Sequence, residues 1–295
     1  MTTPLVSGIT FIKDGLSLGY PIRESIESIE PLCDEVIINV GFGDEDCTKD
    51  DGTYEYLRDH LTHSKFKFIK NYWSPLKKEK GLILSEQTNL ALAQAKGKYC
   101  QYIQGDEAIH ENDLSTIQDS ILQLEKRKSL WGLVFNYIHF YGNTNIIKKT
   151  RNIYRQEVRL IRNENVKSWL DAQGFRHLDD QKLLCKKIDA SVFHYGWARK
   201  ESVMKQKVNT MNQLYHGDKV KDAKFEYERI WGLKRFEKSH PSVMKNWIDH
   251  NHNELDIMKL KLRKDPNIVG LALSDFIEAL TGHRIGEYKN FKLTR

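Results

Sequence analysis

Segments of strand-like alternation and of helical spacing succeed one another without interruption over the first 105 residues, and that order constrains the fold more than anything else in the chain. Val6 to Ile12 alternates small and apolar side chains and reads as a strand. Ile22, Ile26 and Ile29 share one face of a helix over Pro21 to Ile29. Glu35 to Val40 reads as a second strand, Tyr54 to His60 as a short helix and Lys65 to Lys70 as a third strand. Leu82 to Ala95 is rich in Leu and Ala and reads as a helix that stops at Gly97, with Tyr99 to Ile103 as a fourth strand. Strands separated by helices pair in parallel through right-handed crossovers. The expected class is therefore α/β, a mostly parallel central sheet flanked by helices.

Beyond that unit, Leu114 to Lys126 reads as a helix, and Trp131 to Tyr141 and Val158 to Arg162 as strands. From about Glu201 the chain turns helical and charged, with amphipathic pieces at Phe225 to Phe236 and Val243 to His250. No repeat or low-complexity linker intervenes, so residues 1–200 are expected to form the main domain, with 201–295 as a helical extension packed on it.

Composition excludes several classes. No apolar run approaches the roughly 18 residues of a membrane span, and Met1-Thr2-Thr3-Pro4 lacks the basic and apolar regions of a leader. Cys33, Cys47, Cys100 and Cys185 are scattered without metal-site spacing, which argues against a zinc cluster or a disulfide framework. A soluble, cytoplasmic protein with reduced thiols is expected. The net charge of +6 permits an anionic ligand without requiring one. Basic runs at Lys77 to Lys80, Lys126 to Lys128, Lys148 to Arg155 and Lys259 to Lys264 read first as solvated faces. Phosphates or nucleic acid are the functional alternatives, as is a peripheral contact of a basic helix over Ile257 to Lys264 with an anionic membrane.

Chemistry concentrates where the fourth strand ends. Gly105 is expected to turn the backbone just before Asp106 and Glu107, placing two carboxylates at the carboxyl end of a buried strand, where open α/β sheets bind ligands. A helix cap is the structural alternative, because Asp and Glu also open helices.

The run Gln87-Thr88-Asn89-Leu90-Ala91-Leu92-Ala93-Gln94-Ala95-Lys96-Gly97, followed by a strand ending in Gln104-Gly105-Asp106, resembles the core of family 2 glycosyltransferases of the GT-A fold. The resemblance extends through Glu157 to Asn163 and Val192 to Arg199, and reaches Ser239 to Met244. It covers roughly residues 5 to 250. It implies a Rossmann-like GT-A domain that moves a sugar from a nucleotide-diphosphate donor, UDP first among them, to a hydroxyl acceptor with inversion. The acceptor would be a glycan, a lipid-linked sugar or a nucleic acid.

Breaking the anomeric bond leaves negative charge on the diphosphate, which Mn2+ or Mg2+ neutralises through oxygen and imidazole ligands. The resemblance implies Asp106 as metal ligand, with His194 approaching from the opposite side; bordered by Phe193 and Tyr195, His194 also fits a hydrogen-bonded core residue. Gln104 stands where relatives carry a first acidic residue and would reach the ribose. Glu107 would orient the acceptor or cap a helix. Thr10 and Phe11 would meet the base, and the acidic turn after the second strand would offer Asp44 or Asp46 to read it, although that turn is longer than in relatives and Asn39 replaces the usual strand-end carboxylate. Lys80 would meet phosphate, and Gln87 or Asn89 the sugar. Asp171 is the expected general base, with Asp179 and Asp180 as rivals. Trp169, Phe175 and Trp197 would either stack on a sugar or lie in the core. Two further functions stay open. One is a nucleotidyltransferase, disfavoured because Gly8 to Gly19 lacks a Gly-rich basic loop. The other is a nucleic-acid-binding or scaffold protein on the same fold.

Overall fold

A computed structural model describes residues 5–74, 81–151, 153–216, 224–251, 253–282, 284 and 287–294. Its first half runs β1 (Val6–Ile12), α1 (Ile22–Ile29), β2 (Glu35–Phe42), α2 (Thr53–His60), β3 (Phe66–Tyr72), α3 (Leu82–Gln94) and β4 (Tyr99–Tyr102). Then come β5 (Glu107–Ile109), α4 (Leu114–Lys126), β6 (Gly132–Tyr141), β7 (Asn143–Lys148), β8 (Gln156–Arg162), β9 (Val166–Trp169), β10 (Gly174–His177) and β11 (Leu184–Trp197). The remainder holds α5 (Glu201–His216), β12 (Leu233–Arg235), α6 (Lys245–Asn251), α7 (Ile268–Thr281) and β13 (Lys292–Leu293).

The parallel sheet expected from the alternation is β3-β2-β1-β4. All eight residues of β2 are buried, as in strands covered on both faces. Its side chains alternate between two cores. Val36, Ile38 and Val40 pack with Ile22, Ile26 and Ile29 of α1, whereas Ile37 joins Ala91 and Leu92 of α3 on the other face. Beyond β4 the sheet becomes mixed: β8, β6, β7 and β12 follow in antiparallel pairs. β11 lies along the free edge of β6 in parallel and also takes β5 in antiparallel register. The 14-residue β11 is the longest strand and joins the acidic turn to the second half of the sheet.

The structure corrects three local expectations. Gly105 is not in a left-handed conformation, so the turn before Asp106 does not depend on glycine's special backbone freedom. Phe225 to Phe236 is not a helix. Phe225 and Tyr227 instead insert beside Tyr141, Ile146, Met204 and Ile257, and the segment ends as edge strand β12 against β7. The Tyr227 hydroxyl donates to the carbonyls of Trp197 and Arg199, 3.0 and 2.8 Å away, which tie this extended path to the end of β11. Ile257 to Lys264 forms only a short 3-10 turn over Ile257–Lys259 before it becomes extended. Among the described residues no helix is long and apolar enough to cross a membrane.

Candidate active site

The turn from β4 to β5 is held from three sides. Glu107 N–H donates to the Gln104 carbonyl at 3.0 Å, the Ser25 hydroxyl donates to the same carbonyl at 2.6 Å, and the Asp106 carbonyl accepts from Tyr195 N–H at 2.8 Å. This fixes Asp106 and Glu107 with opposite fates.

Glu107 points into the protein and is fully buried with Arg159. Its Oε1 accepts from Arg159 Nη2 at 2.8 Å and from the Tyr137 hydroxyl at 2.7 Å. Its Oε2 accepts from Arg159 Nε and Gln104 N–H, both at 3.1 Å. The guanidinium is sandwiched between the Tyr102 and Tyr137 rings, 5.0 and 5.1 Å from their centroids. Every lone-pair direction of Glu107 is thus engaged behind the site.

Asp106 faces a cavity of about 620 Å³. Its Oδ2 lies 3.1 Å from Lys207 Nζ on α5 and 3.6 Å from His194 Nε2 on β11. Burial alone would raise its pKa, but the Lys207 ammonium and the His194 ring outweigh it and hold the carboxyl well below the usual range. Lys207 also donates to the Gly196 carbonyl at 2.8 Å.

A second histidine sets the state of the first. His139 Nε2 lies 2.8 Å from the Tyr154 carbonyl, which can only accept, so that nitrogen carries hydrogen. Burial, reinforced by His194, pushes the His139 pKa well below the imidazole range, so its Nδ1 is a bare acceptor. His194 Nδ1, 3.1 Å away, must then donate to it. With its Nδ1–H committed to His139, His194 turns Nε2 toward the Asp106 carboxylate, and a proton on that nitrogen or a cation in its place would sit between the two. That tautomer lock is how metal-binding histidines are oriented by an outer partner. Gly196 leaves the space open, because a Cβ there would come within 2.6 Å of both Asp106 Oδ2 and His194 Nε2.

At its other end the cavity is bounded by Phe11, Lys13, Asp14, Gly43 and Trp73, from the carboxyl ends of β1, β2 and β3. The Phe11 and Trp73 rings lie 5.8 Å apart. Of the residues singled out in the sequence, Phe11, Gln104, Asp106, Asp171, His194 and Trp197 line this one cavity. The others lie elsewhere. Thr10 is buried within β1. Asp44 accepts from the backbone of Thr48 and Lys49 in its own turn, at 2.9 and 2.8 Å, and Asp46 is exposed. Gln87 is buried and accepts from the Asn39 amide at 2.9 Å. Asn89 ties α3 to β9 through Ser168 N–H at 2.8 Å. Phe175 is core, and Trp169 carries the Arg176 guanidinium 5.0 Å from its centroid. Lys80 lies outside the described residues.

His139, Tyr154 and Lys207 were not singled out from the sequence. His139 sits inside a run that reads as an ordinary aromatic strand, and Lys207 is one of several lysines on α5; no local pattern marks either. Among the described residues no cluster of three or more His, Cys, Asp or Glu side chains gathers as a metal site.

Compared with known proteins, the chain matches no family model and no curated protein. It is similar to solved structures of glycosyltransferases. TarS residues 1–349 from S. aureus aligns at TM-score 0.36 and 15% identity over 54% of this chain and 47% of that one. TarS bound to UDP-GlcNAc aligns at TM-score 0.32 and 17% identity over 51% and 37%. The mannosyltransferase PcManGT from Pyrobaculum calidifontis, in complex with GDP-Man and Mn2+, aligns at TM-score 0.32 and 19% identity over 45% and 35%. The chain spans about half the length of the TarS 1–349 structure it matches.

Proposed function

We propose that this chain is a metal-dependent glycosyltransferase of the GT-A type that takes a sugar from a nucleoside-diphosphate donor. The observation that carries the reading is the Asp106–His194 pair: a carboxylate and an imidazole nitrogen, 3.6 Å apart, oriented by His139 and left open by Gly196 on the wall of a ligand-sized cavity. Asp106 and His194 would hold Mn2+ or Mg2+ as oxygen and imidazole ligands. Such a cation supplies charge neutralisation to the departing diphosphate.

The chain's own residues account for the rest. Lys207 sets a second positive charge at the same carboxylate and within reach of a diphosphate. Phe11 and Trp73 offer an aromatic cleft to the nucleobase, with Asp14 on the same wall. Gln104 donates to the Tyr102 hydroxyl at 3.0 Å, which holds its amide at the cavity wall, where it would reach the ribose. Asp171, which lines the cavity, would take the acceptor hydroxyl's proton in an inverting transfer. Glu107, locked to Arg159, positions the turn.

The test is a thermal-shift panel of UDP, GDP and their sugars with and without Mn2+, on the wild type and Asp106→Ala. A manganese-dependent rise for one nucleotide, absent from the variant, is the expected result and names the base. No rise with any nucleotide would overturn the reading.

A further inference from the structure

Helix α7 wears its polarity inside out. Val269, Leu273, Phe276 and Leu280 recur at i, i+4, i+7 and i+11, one narrow stripe on a 14-residue helix, and are 76, 59, 60 and 70% exposed. The acids of the same helix face the body of the protein. Asp275 accepts from Trp231 Nε1 at 2.7 Å, and Glu278 is paired with Arg155 and lies 3.8 Å from Arg284 Nε. A helix solvated on its outer face shows the opposite arrangement.

Positive charge flanks the stripe at both ends. Lys259, Lys261 and Lys264 are exposed just before α7, and no acid interrupts the 259–264 run. At the other end, Gly282 opens onto a cavity of about 470 Å³ walled by Arg155, Lys182, Arg284, Lys289 and Lys292, with Glu287 as the acid among them. We infer that α7 docks on an anionic lipid bilayer, its stripe sunk into the acyl boundary and the flanking lysines and basic cavity among the headgroups. A second copy of the chain is the poorer occupant. Four side chains on one helix face offer on the order of 500 Å², short of the roughly 800 Å² per partner of a stable interface, and the basic flanks would repel their own kind.

The docked face adjoins the active site through one continuous segment: Ile153 and Tyr154 line the catalytic cavity, and Arg155, next in the chain, holds Glu278 of α7. Delivery of a lipid-borne acceptor to that cavity rests on the transferase reading. The docking itself does not.

Sedimentation with vesicles tests it, using phosphatidylcholine alone and phosphatidylcholine with about one-third phosphatidylglycerol. Expected is binding to the anionic vesicles at least tenfold stronger than to the neutral ones, and its loss in Leu273→Glu/Phe276→Glu and in Lys259→Glu/Lys261→Glu/Lys264→Glu. Both variants change exposed side chains, so the melting temperature should stay at the wild-type value. Wild-type protein that stays in the supernatant with anionic vesicles overturns the inference. So does a stripe variant that binds as well as wild type, or sedimentation equilibrium showing a dimer that Leu273→Glu/Phe276→Glu dissolves. None of these outcomes depends on nucleotide binding, so failure here and failure of the transferase reading are separable.

Discussion

Glu107 and Arg159 form a fully buried ion pair two hydrogen bonds wide, and breaking it is the most informative single perturbation. In Arg159→Met the carboxylate keeps only the Tyr137 hydroxyl and the Gln104 N–H as partners, while the Gln173 carbonyl loses the Arg159 Nη1 donor now 2.7 Å away. Removing one member of a buried pair costs about 3–5 kcal/mol, because an uncompensated charge stays in a low-dielectric interior. That is about a fifth or more of the stability of an ordinary domain and corresponds to a melting-temperature drop on the order of 10 °C. Glu107→Gln strands the guanidinium instead and is expected to cost a similar amount. The double variant Glu107→Gln/Arg159→Met removes both charges, so it should be more stable than Arg159→Met alone and fall well short of the summed losses. Urea denaturation followed by tryptophan fluorescence gives all four corners of the cycle. Single variants that lose under about 1 kcal/mol, or a strictly additive double variant, would refute the reasoning. A Glu107→Gln protein that unfolds like wild type yet loses turnover would show that this carboxylate acts in the cavity after all.

Three further expectations follow from the site and its surroundings. His139→Ala frees His194 to take the other tautomer and should weaken Mn2+ binding about 10–100-fold, read by titration calorimetry, with little change in nucleotide affinity without metal. Gly196→Ala places a methyl group 2.6 Å from both Asp106 Oδ2 and His194 Nε2 and should abolish the manganese-dependent thermal shift in a protein that still melts cooperatively. Burial pushes the Glu157 carboxyl up to about 8, against the pull of Arg159. Between its ordinary value of 4.5 and about 8 the folded state therefore binds the extra proton, and stability falls as pH rises through that window. Glu157→Gln should remove this decline, worth about 4 kcal/mol between pH 5 and 9; unfolding curves of equal slope with pH in both proteins would contradict it.

The region from Val6 to Lys126 was legible because its information is local. The isoleucines of α1, the alternating side chains of β1 and the stop at Gly97 act within a few residues of themselves, and the structure places α1, β1, α3 and α4 within a residue or so of the expected bounds. Asp106 was legible for the same reason, as the acid that follows a buried strand. The expected helix over Phe225 to Phe236 failed where tertiary packing overrode local spacing: Tyr227 is anchored to the end of β11, and the edge of β7 recruits β12.

What the sequence alone determined is the order of strands and helices and the point where a carboxylate stands at the carboxyl end of a buried strand. What only the tertiary structure decided is the company that carboxylate keeps. His194, His139 and Lys207 arrive from 88, 33 and 101 residues away along the chain. β11 carries His194 alongside β6, placing it opposite His139 in the parallel register, while α5 delivers Lys207. Likewise, Glu107 meets Arg159 only because β8 presents that residue beneath it, 52 residues away. Pairing register and helix docking are set by the burial of whole faces, which no local window of sequence contains.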